Sequence, residues 1–263
     1  MRPLWKGAIS FGLVNVPVKM YAATEKKNIK FRYLHDDCKA PIEYKKVCSS
    51  CAKEVSKEEI VRGYEYEPGR YVVLEDEDFE NLPDKQSRSI DIVEFIDLKE
   101  IDPVYYDKTY YLAPNETGEK GYQLLKQVLE EKGKVAVCQV VIRSKSMLSC
   151  IRVHNSTLTM ETMYYPDEVR NPVEELGSDE FVDEAGEVSD KELEMAGKLV
   201  DGLTDSFNPD KFQDEYRKSL LDLIEAKIHN REIAEPKIET DERVVSLMDA
   251  LEKSVDVIEE KSG

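Results

Sequence analysis

Up to Tyr165 the apolar residues fall into short β-branched and aromatic runs; beyond it they fall into stripes at helical spacing. Gly7 to Met20 (GAISFGLVNVPVKM) predicts one strand with a bend or bulge at the Gly12 and Pro17 punctuation. Arg70 to Leu74 (RYVVL) and Ser89 to Phe95 (SIDIVEF) have strand composition, and the second alternates apolar and acidic positions. Between them Glu75 to Leu82 predicts a short acidic helix stopped by Pro83. Tyr105 to Leu112 predicts a further strand, closed by the turn Ala113-Pro114-Asn115. Leu124, Leu125, Val128 and Leu129 share one face of a helix over Gly121 to Lys132, with Gly133 as its stop. Lys134 to Arg143 and Leu148 to Val153 predict a strand pair around Ser144 to Ser146, which Leu158 to Tyr165 extends. Short strands with one inserted helix favour a mainly antiparallel sheet or barrel, a fold that is mainly β with helical additions.

After Tyr165, Pro166, Pro172 and the acidic stretch Glu174 to Glu187 read as an arm or linker. Three helices are expected next. Ser189 with Glu192 forms a capping box ahead of the stripe Leu193, Ala196, Leu199, Val200 and Leu203. Asn208-Pro209 predicts the start of a helix carrying Phe212, Tyr216, Leu220, Leu223, Ile224 and Ile228. Asp241 to Ile258 repeats Val244, Leu247, Met248, Leu251, Val255 and Ile258. The pattern therefore divides the chain into a β core over 1–165, an acidic arm or linker over 166–188 and a helical region over 189–263.

Charge sharpens this division. The 263 residues carry a net charge of −18, and 166–263 alone carry −17, whereas 1–62 carry +6 and 106–165 carry +2. Repulsion from a polyanion is the expectation for the average, but not for a surface lined by the two basic segments. No apolar run reaches the ~18 residues of a membrane span. Met1 to Leu4 lack the layout of an export signal, so a cytoplasmic chain with reduced thiols is expected; the odd count of five cysteines agrees.

The chain has no GxxxxGK[ST], GxGxxG, GxSxG or HExxH motif, and its three histidines lie in separate segments, so no enzyme is expected. The chemistry that is present gathers near 35–51: His35 and Cys38, then Cys48 and Cys51, a set of one nitrogen and three sulfurs suited to a structural Zn²⁺. The nine-residue spacer is shorter than in common fingers, and Ala40 to Val47 would be a hairpin arm joining the pairs. A reduced CxxC with an unrelated neighbouring cysteine is the alternative. Cys138 and Cys150 read as buried small hydrophobes on strands.

Lys134, Arg143, Lys145 and Arg152 occur over 134–153 without one acid. Lys26, Lys27, Lys30, Arg32, Lys45 and Lys46 cluster around Phe31, Tyr33 and Tyr44. Such residues either track phosphates without reading bases or are lysines guarding strand edges against aggregation.

The opening Trp5-Lys-Gly-Ala-Ile-Ser-Phe-Gly-Leu-Val-Asn-Val-Pro-Val18 resembles that of the bacterial Ku family, homodimeric DNA-end-binding proteins of non-homologous end joining. So do Ile42 to Cys51, Ile60 to Glu65, Ile101-Asp-Pro103, Ile142 to Lys145, Tyr165 to Arg170 and the segment Glu192 to Tyr216; together the matches cover about residues 1 to 230. The resemblance implies a barrel of seven or so strands with an extended arm, two copies of which form a ring threaded by duplex DNA. Basic residues would face the hole, and a free end would be needed for loading. It implies no catalysis, and recruitment of a multifunctional DNA-repair ligase through about Ser189 to Ile233. Arg143, Lys145 and Arg152 would lie near DNA by match to the family's basic strand, followed by Lys30, Arg32, Lys45 and Lys46. Cys48 and Cys51 match family members, while Cys38 stands where members vary. The sequence departs from many members by ending at Lys261-Ser-Gly263 without a lysine-rich tail, so the resemblance does not carry over the extra affinity, sliding or bridging of ends that depend on one. The competing reading is an acidic, zinc-stabilised protein-interaction scaffold that binds no nucleic acid.

Overall fold

The computed structural model describes residues 1–80, 88–142, 145–176, 188–229 and 247–262, in two units, 1–171 and 172–263. In the first unit the strands are β1 (Trp5–Phe11), β2 (Val14–Ala22), β3 (Arg62–Glu67), β4 (Arg70–Leu74), β5 (Ser89–Asp97), β6 (Tyr106–Pro114), β7 (Lys134–Ile142), β8 (Lys145–His154) and β9 (Thr157–Met163). Helix α1 (Asp76–Glu80) follows β4, and α2 (Glu119–Lys132) joins β6 to β7. The acidic helix is thus present, and its expected stop at Pro83 lies outside the described residues. The two strands expected between Gly7 and Met20 as one are a hairpin: Gly12 takes φ +60°, which lets the chain reverse and pairs Ile9 with Val16.

Seven strands close into a barrel in the order β1-β2-β6-β9-β8-β7-β5. Every neighbouring pair is antiparallel except β5 and β1, whose parallel pairing, Ile9 opposite Ile90, seals the sheet and removes its edges. Because strand side chains alternate, one set of positions fills the interior: Ile9, Val16, Val18, Met20, Ile90, Leu112, Cys138, Ile151, Leu158 and Met160 are all buried there. Each such aliphatic contributes about 1.5–3 kcal/mol. Cys150 is also buried, but its neighbours on β8 place it on the opposite, outward face.

Helix α2 packs on β2, β7 and β8 through Tyr122, Leu125 and Leu129. Its entry is tight: a Cβ on Gly118 would lie 2.3 Å from the Pro17 carbonyl oxygen, so only glycine admits this approach. The Tyr122 hydroxyl donates to the Leu112 carbonyl and accepts from the Leu158 amide, both at 2.8 Å. A polar tip therefore ties β6 and β9 to the helix while the ring stays in the core.

Between β2 and β5 the chain leaves the barrel. Not one of residues 24–79 is buried. This arm holds the β3–β4 pair, of which only β4 was legible as a strand; β3 carries Gly63 and alternates tyrosine with glutamate on a hairpin that no other strand among the described residues joins.

The second unit contains α3 (Pro172–Leu176), α4 (Asp190–Leu203), α5 (Glu215–Ile228) and α6 (Leu247–Ser262). The Ser189 capping box forms, with Glu192 N donating to Ser189 Oγ and Ser189 N to the Glu192 carboxylate. Helix α4 packs against α6, with Lys191 and Glu252 paired at 3.6 Å. The stripe is split: Ala196 and Leu199 are half-buried, whereas Leu193, Val200 and Leu203 stay exposed. Asn208 caps only a short turn at Pro209–Lys211; α5 begins later, capped by Asp214, whose carboxylate accepts from Arg217 N. The expected start of the last helix, residues 241–246, lies outside the described residues.

Candidate nucleic-acid interface

The basic residues singled out from the sequence fall on two parts of the first unit. Lys30, Arg32, Lys45 and Lys46 are exposed on the arm, and Lys145 and Arg152 lie on β8; Arg143 lies outside the described residues. On the arm, Lys45 pairs with Glu54 at 2.8 Å, while Lys30, Arg32 and Lys46 form no ion pair among the described residues. Phe31, Tyr33 and Tyr44 are exposed beside them, Tyr44 at 81%.

On β8 the residues do not form one basic stripe. Lys145 and Arg152 are separated by an odd number of positions, so the period of two sends them to opposite faces. Arg152 points outward and grips Glu161 of β9, Nε to Oε1 at 2.9 Å and Nη2 to Oε1 at 2.7 Å. The second carboxylate oxygen accepts the Cys150 thiol at 3.5 Å. With Tyr106, Thr109 and residues Leu98, Ile101 and Pro103, this pair lines a cleft of about 640 Å³. The Arg152 charge is therefore already neutralised by a neighbouring carboxylate. The sequence reading missed Glu161; the signal for it was the one charged residue in the middle of a strand of threonine, leucine and methionine, where only a partner makes burial of a carboxylate tolerable.

Lys145 starts β8 and is exposed, with its Nζ 3.4 Å from Glu168 Oε1. Glu168 Oε2 accepts the Tyr165 amide at 2.9 Å, and this hydrogen bond, followed by the charge of Lys145, holds its carboxyl below the usual range. The Ser146 and Tyr165 hydroxyls lie 3.4 Å apart in the same contact.

The four expected metal ligands form two loops of the same construction. In the first, Lys39 N donates to the His35 carbonyl at 2.8 Å and His35 N to Ala40 at 2.9 Å; in the second, Ala52 N donates to Cys48 and Cys48 N to Lys53, both at 2.9 Å. Lys39 and Ala52 follow the second ligand of each pair with φ 54° and 53°, and the bridges Leu34–Pro41 and Val47–Glu54 close the two loops. Such a loop turns backbone N–H groups toward the first ligand. The amides of Cys51 and Ser50 and the Cys51 side chain lower the Cys48 thiol from its ordinary value, and His35 Nδ1 lies 3.3 Å from Cys38 Sγ. Ala40 to Val47 does not bring the pairs together: among the described residues no three His, Cys, Asp or Glu side chains converge on one metal position. The donor set suits zinc as two half-sites. No helix among the described residues is long and apolar enough to cross a membrane.

Comparison with known proteins agrees with this architecture. The family model for the Ku70/Ku80 beta-barrel domain matches residues 10–195. The chain is 48% identical over 257 residues to the non-homologous end joining protein Ku of Symbiobacterium thermophilum, covering 97% of this chain and 63% of that protein. It is 45% identical to the protein of that name in Bacillus subtilis, covering 97% of this chain and 82% of the relative. With the Archaeoglobus fulgidus protein, also so named, the identity is 43%, covering 98% of this chain and all of the relative.

Proposed function

From the membership of this chain in the Ku family, whose β-barrel domain it carries, we propose that it binds double-stranded DNA ends without regard to sequence, as a ring-shaped homodimer acting in non-homologous end joining. The observation that carries the reading is the arm. Residues 24–79 bury nothing, yet expose Tyr33, Tyr44, Tyr64, Tyr66 and Tyr71. A lone two-stranded hairpin is marginal in water, so such a segment needs a covering surface. A second copy supplies one by symmetry, and two arms reaching across two barrels enclose a hole.

Lysines that approach phosphates from such a hole give affinity without base readout, and a closed ring admits duplex only at a terminus. Lys145, Lys30, Arg32, Lys45 and Lys46 serve as the phosphate contacts; Arg152 acts on the framework through Glu161. The protein makes and breaks no covalent bond. In the acidic second unit, the exposed Leu193, Val200 and Leu203 of α4 offer apolar purchase to a repair ligase. A zinc ion held by His35, Cys38, Cys48 and Cys51 would require the two loops to close on each other from the separation seen here, and would then cross-link them and stiffen the arm.

Titration of one duplex in linear and covalently closed circular form tests the reading. Binding of the linear form and exclusion of the circle are expected. Equal binding to both forms, or no binding at low salt, overturns it; the latter outcome favours the protein-interaction scaffold.

A further inference from the structure

Lys145 is the one basic residue of β8 whose partner is both exposed and placed where the chain departs for the second unit. That partner is held in place. Glu168 Oε2 is fixed by the Tyr165 amide at 2.9 Å, Glu168 N donates back to the Tyr165 carbonyl at 2.9 Å, and Oε1 is left to face Lys145. Tyr165 also meets Ser146, the residue after Lys145. The turn 165–168 is thus latched to the start of β8 by one ion pair and one hydroxyl contact, with the second unit beginning at Pro172.

We infer that Glu168 is an internal competitor for phosphate, an autoinhibitory carboxylate that occupies Lys145 until a DNA backbone displaces it. The inference rests on the proposed phosphate contact of Lys145. A carboxylate and a phosphate present the same chemistry to an ammonium, an oxygen anion accepting charge-assisted hydrogen bonds, so both cannot be satisfied at full strength. The Lys–Glu separation of 3.4 Å at an exposed position makes the contact weak enough to exchange. Displacement removes the ion pair between the 165–168 turn and β8 and leaves the Ser146–Tyr165 contact in place. Glu168 thereby sets the threshold of binding and raises the discrimination against weak, isolated phosphate encounters.

The test is a double-mutant cycle on the full chain with a blunt linear duplex of about 30 base pairs, each variant first shown by circular dichroism to keep the wild-type melting curve. Glu168→Gln is expected to tighten end binding about 2- to 5-fold, the range of one exposed ion pair. Lys145→Gln is expected to weaken it and to abolish the gain when combined with Glu168→Gln. If Lys145→Gln leaves affinity unchanged, the phosphate contact itself is refuted. If Lys145→Gln weakens binding but Glu168→Gln does not strengthen it, the latch alone is refuted. A gain that persists undiminished in the double variant is a general loss of negative charge and equally overturns the latch.

Discussion

Arg152 and Glu161 face each other across β8 and β9, with two guanidinium nitrogens on a carboxylate oxygen at 2.7 and 2.9 Å. The partners are unequally placed: the Glu161 side chain is 6% exposed and that of Arg152 27%. Removing the arginine strands a buried carboxylate, whereas removing the glutamate leaves a guanidinium that still reaches water. Arg152→Ala is therefore expected to cost about 2–4 kcal/mol, and Glu161→Ala less. Urea denaturation of both variants measures the difference. The joint replacement Arg152→Met with Glu161→Met is expected to restore much of the stability and to retain end binding; a folded double variant that has lost DNA would return Arg152 to the interface.

Tyr122 supplies one hydroxyl to two backbone groups. Tyr122→Phe keeps the ring and leaves the Leu112 carbonyl and Leu158 amide without that partner. A loss of about 1–3 kcal/mol is expected. A variant as stable as the parent by denaturant titration would mean that water replaces the hydroxyl.

High pH should act through the buried acids. Burial raises the Cys138 thiol and lifts Cys150 to about 12, in the latter case with help from the Glu161 charge. Burial also raises Tyr122 and Tyr106. These groups keep their protons in the folded state at pH values where the unfolded chain has lost them. Stability from this source is present below the ordinary thiol value of 9.0 and declines as pH rises from there toward 12. Melting temperatures measured from pH 8 to 11 should fall, and less steeply in Cys138→Ala. A flat profile would contradict the assignment.

The thiols should divide by location. Cys38, Cys48 and Cys51 lie on the arm, Cys38 and Cys51 exposed and Cys48 half-buried, while Cys138 and Cys150 are buried. A thiol reagent on chelator-treated native protein is expected to titrate three groups quickly and two only after unfolding. Protein purified without chelator should instead carry about one zinc per chain and protect the three arm thiols. Absence of metal from such a preparation would exclude the zinc joint.

The arm should govern assembly. Tyr64 and Val72 share one face of the β3–β4 hairpin, where they stand opposite each other. Tyr64→Glu places a charge on that face without touching the barrel core, and sedimentation should show dimer shifted to monomer, with end binding lost in parallel. A variant that stays dimeric would move the interface away from the hairpin.

Local pattern already determined much of this protein. The alternation of Ser89 to Phe95, the run Lys134 to Arg143 and the Ser189–Glu192 box each encode their element within a few residues, because strand and helix periods and caps are short-range properties. The order of matching segments was enough to indicate the family. Turn chemistry was less legible: Gly12 became a reversal and Asn208 the cap of a single turn, because neither glycine nor an Asn-Pro pair says how far the chain continues afterwards.

What the tertiary structure alone decided are the long-range pairings. Nothing local brings Ile90 beside Ile9 to close the barrel, pairs Lys145 and Arg152 with carboxylates of other segments, or leaves 24–79 outside the core. Sequence records each residue's own preference for burial or charge. Which distant partner satisfies it follows from strand register and barrel closure, and these exist only once the whole sheet is assembled.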